Sequence, residues 1–203
     1  MTGSKLPAVQ RLQFFLSESV WDPEAVNARR LELLLNDPAT APHGGGVLVI
    51  DDSGDRKDGV KTAHVGRQYL GRYGKTDNGV VTVTTLWADE RVYYPVHAVP
   101  YTPAEHFAKG KNDPAFRTKL QIGAGLAVQA REAGFAFRAV VADSAYGDQD
   151  GFRGELAGAG LPFVTALKPR GGTRAYGPMR TPRSMRPARW PGTGRMIPGT
   201  GSR

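Results

Sequence analysis

The sequence predicts an α/β fold, a mixed sheet flanked by helices, with a helical segment in front of it. Three observations predict it. Two continuous apolar runs rich in β-branched residues, VLVI at 47–50 and the run within FRAVVAD at 137–143, read as central strands, and both end on acids. Between them, NGVVTVTTLWADERVYYPVHAV (78–99) alternates at Val81, Val83 and Thr85, turns at ADE, and alternates again at Val92, Tyr94 and Val96, which is a hairpin pattern. Helix-spaced segments alternate with the later strands, as they do where a sheet is covered by helices.

Taken in order, Leu12, Phe15 and Leu16, then Ala28, Leu31, Leu34 and Leu35, recur at helical spacing, and Asp22-Pro23 reads as an N-cap followed by proline at the first helical position. Residues 1–43 therefore form an N-terminal helical segment that closes in the loop NDPATAPHGGG. Gly44 to Gly46 make a pliable lead into the first strand. No Gly-Lys-Ser/Thr follows them, so they are not a phosphate loop. A charged loop separates VLVI from the hairpin. After the hairpin, Asp113 is the expected N-cap of a helix with Pro114 in its first turn, Phe116, Leu120, Ala124 and Ala127 on one face, and Gly134 as its stop. A short helix at about 149–158 and a strand in LPFVTAL (161–167) complete a domain over 44–170.

Composition narrows the chemistry. With 203 residues and 40% hydrophobic content the chain can bury a core, and the absence of cysteine excludes disulfides and thiolate metal sites. No run of about 18 apolar residues occurs and MTGSKLPAVQ has no signal-like stretch, so a cytoplasmic protein with no membrane partner is expected. The net charge of +8 is concentrated: residues 171–203 hold seven arginines and no acid, while residues 1–170 are close to neutral. That Arg/Pro/Gly-rich tail cannot bury enough surface to order itself. It reads either as a basic tail attracted to phosphates or as an out-of-frame translation of GC-rich DNA.

The acids at the strand ends carry the functional reading. Asp51 and Asp52 follow one core strand and Asp143 follows the other. If the strands are neighbours, their carboxylates meet at one edge of the sheet, a hard-oxygen donor set suited to Mg²⁺ or Mn²⁺. The plainer alternative is two strands leaving the core for solvated turns. Lys57, Lys61, Arg67, Arg72 and Lys75, interleaved with Tyr69 and Tyr73, suit phosphate contact and base stacking, unless Asp55, Asp58 and Asp77 simply balance them. His64, His97 and His106 have no ligand spacing. Tyr146 and Asp148 either orient Asp143 or the substrate, or simply pack.

The phrases VLVIDDSGDRKDG, GRQYLGRYGKTDN, VYYPVHAVPYTP, FRTKLQIGAGLA and FRAVVADSAYGDQDGFRGEL, in this order, resemble the DDE-superfamily transposases of bacterial insertion sequences, from about Phe15 to Lys168. The resemblance implies a ribonuclease-H-like fold. It also implies cleavage and transfer of DNA strands at transposon ends, by water or a 3′-hydroxyl attacking a phosphodiester with two Mg²⁺ ions. By the same resemblance Asp52, before Ser53 where the family usually has threonine, is the first catalytic acid, Asp143 is the second, and Asp51 supports the metal site. The third acid, a glutamate on a helix well beyond 161–167, has no counterpart, since no glutamate follows Glu155. The expectation is a catalytic domain truncated before its third acid, incomplete at its C-terminus and inactive as a nuclease. The alternative is a non-catalytic fragment that binds DNA, associates with itself, or engages full-length transposase. An uncovered sheet face and marginal folding are expected with it.

Overall fold

Asp22 and Pro23 begin a helix as their order predicts. The Asp22 carboxylate accepts a hydrogen bond from the Ala25 amide at 3.0 Å, and proline fills the first turn. The computed structural model describes residues 7–168 and carries this helix as α2 (Pro23–Asn36), after α1 (Pro7–Glu18). The tail at 171–203, with both readings of it, lies outside the described residues. α2 buries Leu31 and sends the Arg30 guanidinium to the carbonyls of Pro95 and Val96, which fastens the helix to the sheet. α1 leaves Leu12, Phe15 and Leu16 exposed.

The first strand is longer than its apolar run. β1 (Val47–Arg56) continues straight through the acids because β3 (Lys75–Ala88) pairs with it antiparallel along its whole length, from Val47 opposite Ala88 to Arg56 opposite Gly79. The segment read as a charged loop contains a further strand, β2 (Gly66–Leu70), which folds back on the start of β3 with Leu70 opposite Lys75. Its alternation is short, but its inward positions, Gln68 and Leu70, are buried. β4 (Tyr93–Pro100) forms the expected hairpin with β3 and lies along the same edge as β2. β5 (Val140–Ala142) and β6 (Phe163–Thr165) run parallel to β1, giving the order β2-β3-β1-β5-β6. This mixed sheet flanked by helices is consistent with a ribonuclease-H-like fold.

α3 (Lys119–Glu132) starts later than the sequence suggests. Thr118 is the cap, not Asp113. The Thr118 hydroxyl accepts from the Gln121 amide at 3.2 Å and the Gln121 side chain accepts from the Thr118 amide at 3.0 Å, a reciprocal box that satisfies two donors at once. Asp113 caps a turn instead, accepting from the Ala115 amide at 3.0 Å. α3 lays Gly123, Ala124, Ala127 and Ala130 on the sheet, and such small side chains let helix and strands approach closely. The short helices α4 (Ser144–Gly147) and α5 (Asp150–Gly158) link β5 to β6.

Strand alternation divides the sheet into two faces. Leu48, Ile50, Val83 and Trp87 face the helices and are essentially fully buried. Trp87 also donates its indole N–H to the Ala136 carbonyl at 2.8 Å, and truncating such a residue to alanine costs about 3–5 kcal/mol. On the opposite face Val47, Val49, Leu86 and Val141 are only half-buried and Val164 is 64% exposed.

The β3–β4 turn is organised by one carboxylate. Asp89 accepts from the Val92 and Arg91 amides, both at 2.7 Å, and His43 lies 3.1 Å from its second oxygen. Those amides, with lesser help from His43 and the Arg91 charge, hold the Asp89 carboxyl down at about 2. A depressed carboxyl contributes stability above its unfolded pKa of about 3.9 and loses it as pH falls through the folded value. Thermal melts at pH 7 and pH 2.5 should therefore show Asp89→Ala less stable than the wild type at pH 7, with the gap between them narrowed at pH 2.5.

Candidate active site

The pairing of β5 with β1 decides where the acids go. The parallel register sets Leu48 beside Val140, Val49 beside Val141 and Ile50 beside Ala142, so the next residue on each strand, Asp51 and Asp143, emerges at the same level. β5 ends there. β1 runs on, held by β3 alone, and its far edge borders an open notch. A cleft of about 960 Å³ fills this region, lined by Asp51, Asp52 and Asp143 together with Lys57, Tyr69, Arg72, Lys119 and Tyr146.

Each acid is held differently. Asp52 lies on the same face of β1 as Leu48 and Ile50, pointing toward the start of α3, where the Lys119 ammonium sits 3.0 Å from its carboxylate. The two side chains are 31% and 26% exposed. The same ammonium is 5.8 Å from the centre of the Tyr101 ring. Asp51 turns back on the chain and accepts from the Asp52 amide at 2.7 Å. Partial burial pushes the Asp51 carboxyl up, and the charges of Asp143 and Asp52 add to this against the pull of that amide. Asp143 is the N-cap of α4, accepting from the Ala145 amide at 2.9 Å and, more weakly, from that of Tyr146 at 3.4 Å.

The segment after Asp143 builds the back of the cleft. Gly147 passes so close to β6 that a Cβ would stand 2.1 Å from the Ala166 carbonyl oxygen, so no other residue fits without moving the strand. Tyr146 is buried against Phe152, and its hydroxyl has no hydrogen-bond partner among the described residues. Burial, followed by the charges of Asp52, Asp51 and Asp143, drives the Tyr146 hydroxyl well above its ordinary range. It remains a neutral donor beside three carboxylates.

The basic cluster is only partly gathered. Lys57, Tyr69 and Arg72 line the cleft, Arg67 faces a neighbouring cavity, and Lys61 and Lys75 line neither. Lys57 pairs with Asp55 at 3.5 Å and Lys75 with Asp77 at 3.1 Å, so the balancing role foreseen for the nearby acids is met at both. Arg72 stacks over Tyr73 at 5.8 Å. Lys119 is the residue that sequence reasoning missed. Its signal was the Thr-x-x-Gln capping box, which fixes Lys119 as the first residue of α3 and so points it at the end of β1.

Divalent-metal chemistry fits this donor set up to a point. Two hard carboxylates, with a third beside them and an unpartnered hydroxyl behind, suit an ion such as Mg²⁺ that is bound through one or two carboxylates and otherwise by water and phosphate. Among the described residues, no group of three or more acids and histidines lies close enough to hold an ion by itself. Nor is any described helix long and apolar enough to cross a membrane.

Comparison with known proteins agrees with this geometry. A family model described as DDE superfamily endonuclease matches residues 6–202. The chain is 38% identical over 160 residues to the probable transposase of insertion sequence element IS701 from Microchaete diplosiphon. That alignment covers 78% of the chain and 40% of the relative, so the chain spans well under half of that protein's length. No solved structure matches the chain at a significant level.

The capping role of Asp143 separates its structural work from its charge. Asparagine caps as well as aspartate, whereas alanine at an N-cap costs about 1 kcal/mol. In urea denaturation Asp143→Ala should lose about that much, and Asp143→Asn clearly less. Equal losses would mean that the α4 cap does not need this side chain.

Proposed function

The chain belongs to the DDE superfamily endonucleases, and from that premise we propose that it carries the leading part of a transposase catalytic core, one that engages DNA and supports metal-dependent cleavage and transfer of a strand. The observation that carries the proposal is the register that brings Asp51 and Asp143 to one level of two neighbouring parallel strands, with Asp52 next along β1, in a cleft that also holds Lys57, Arg72 and Lys119.

Asp52 and Asp143 are the residues that would hold Mg²⁺ or Mn²⁺, with Asp51 beside them. When bound, the ion supplies Lewis-acid stabilisation of the charge that develops on the attacked phosphate. Lys57, Arg72 and Lys119 offer cations to the DNA backbone. Tyr146 closes the rear of the cleft and presents a neutral hydroxyl to the acids. The family pattern asks for a third acid, a glutamate beyond β6, and the sequence has none after Glu155. A two-ion arrangement therefore needs an acid these residues do not supply. Transposon ends are the proposed DNA partner, and a second copy or a full-length transposase is the proposed protein partner.

A second reading, DNA engagement without cutting, is favoured by one observation: the Lys119 ammonium already pairs with the Asp52 carboxylate at 3.0 Å. A plasmid assay tests both. The expected outcome is that Mn²⁺ raises the melting temperature of the wild type but not of Asp52→Asn/Asp143→Asn, with supercoiled plasmid nicked on the first reading and bound but intact on the second. Nicking by the wild type that Asp143→Asn abolishes would show that two aspartates suffice. Absence of both a Mn²⁺ shift and DNA binding, in a sample that melts cooperatively, would end the transposase-core reading.

A further inference from the structure

Beside the acidic cleft lies a second cavity of about 400 Å³, lined by Arg67, Gln68, Tyr69, Tyr101, Glu105, Lys111, Thr118 and Lys119 among others. Tyr69 and Lys119 line both spaces and form the sill between them. We propose that this side pocket receives a single unpaired nucleotide of the DNA strand that lies in the acidic cleft, its base stacked on Tyr69 and its phosphate held by Arg67 and Lys111. The proposal rests on the DNA reading above and deepens it.

The chemistry of the walls selects that ligand. Tyr69 is 59% exposed, an unusual state for an aromatic ring on a strand, and its neighbour Gln68 is buried, so the ring stands off the sheet toward solvent. Tyr101 forms the opposing wall, with its ring edge against Phe116 at 6.3 Å and the Lys119 ammonium near it. Aromatic platforms of this kind hold bases without regard to sequence, because every base has a π-face. Arg67 and Lys111 make no ion pair among the described residues, so their charges are open to a phosphate. Glu105 is the lining acid. It disfavours a phosphate at its end of the pocket and accepts only from a donor, such as the exocyclic amino group of a base. The space suits one nucleotide and is too narrow for a duplex.

The pocket is also built in advance. Its two walls come from β2 and from the connection after β4, and two histidines tie these together. His64 lies 2.7 Å from the Thr102 hydroxyl, and His106 lies 2.5 Å from the Val65 carbonyl oxygen. His64 adopts a left-handed backbone conformation, φ +64°, which costs energy for a non-glycine residue and is held here by its surroundings. Gly66 permits the close approach: a Cβ there would meet the Glu105 carboxylate at 2.8 Å and the Pro103 ring at 2.9 Å. Two of the histidines without ligand spacing thus have a role as clamps of this pocket.

The test uses the full chain and two fluorescent duplexes at one fixed salt concentration, one fully paired and one carrying a single unpaired 2-aminopurine nucleotide. The wild type is expected to bind the second duplex about tenfold more tightly, the effect of one base–aromatic stack, and to change its 2-aminopurine emission. Tyr69→Ala should remove both the preference and the emission change, and Tyr69→Phe should keep them. Tyr69 is exposed, so neither change threatens the fold. Equal affinity for the two duplexes with unchanged emission would overturn the pocket while leaving DNA engagement standing. A preference that survives Tyr69→Ala would overturn it as well. Failure to bind either duplex would overturn the DNA reading and the pocket with it.

Discussion

The parallel register of β5 on β1 is the constraint on which the site depends. It is only three residue pairs long, Leu48–Val140 to Ile50–Ala142, and a slip of one residue would reverse which side chains face the helices. With Ile50 and Val140 buried under α3, the slip would expose core residues on one strand or the other, so hydrophobic packing fixes the register and the register fixes the acids. The carboxylates are brought together by the burial of the residues that precede them, not by any attraction of their own. The Asp51 carboxyl is raised first by its burial and then by the charges of Asp143 and Asp52, and the core has to hold the acids against both.

The local devices around this register share a logic. At Asp143 the helix that follows needs a cap, and the carboxylate supplies it. At Asp52 the strand continues past the end of its neighbour, which leaves the side chain partly solvated and within reach of Lys119. β1 tolerates so much charge because its ladder to β3 is complete on one side while the other side borders the notch. A strand paired on both sides at these positions would have to desolvate Asp51, Asp52 and Asp55 at a cost of several kcal/mol per unpaired ion.

Much of the fold was legible because it is written in runs and alternations. VLVI, the 81–96 hairpin and the strand before Asp143 could be read from side-chain periodicity, and the acids at their ends could be read with them. β2 was not legible. Five residues, GRQYL, sit between charged stretches, and their strand character comes from β3, whose first residues would otherwise lack a partner on that side. The start of α3 was misread because Asp113-Pro114 is as good a local signal as Thr118. What decides between them is the reciprocal bond to Gln121, and the chain turns at residues 114–115 and runs on outside any helix to Thr118. That five-residue difference is why Lys119 went unseen: a helix begun at Pro114 would put Lys119 in its interior, whereas at the first position it faces the end of β1. The clamping by His64 and His106 could not be read at all, since it joins segments about forty residues apart through single hydrogen bonds.

Charge placement ties the site to its use. The first 170 residues are close to electrically balanced, so a phosphate backbone gains little from their field at a distance, and contact has to depend on individual cations. Many of those cations are already engaged. Lys57, Lys75 and Arg56 face Asp55, Asp77 and Asp58, and Lys119 faces Asp52. Exposed pairs of this kind are worth only up to about 1 kcal/mol, so a phosphate can compete for them, but each exchange returns little net energy. Arg67 and Lys111 carry no such partner among the described residues, and Arg72 is occupied only by the Tyr73 ring. These cations border the two cavities rather than the sheet's half-open face. On the proposed reading, a strand of DNA that follows the line from the acids across the Tyr69–Lys119 sill meets Arg67, Lys111 and Arg72 without first breaking an ion pair, and only Lys119 has to be shared with Asp52.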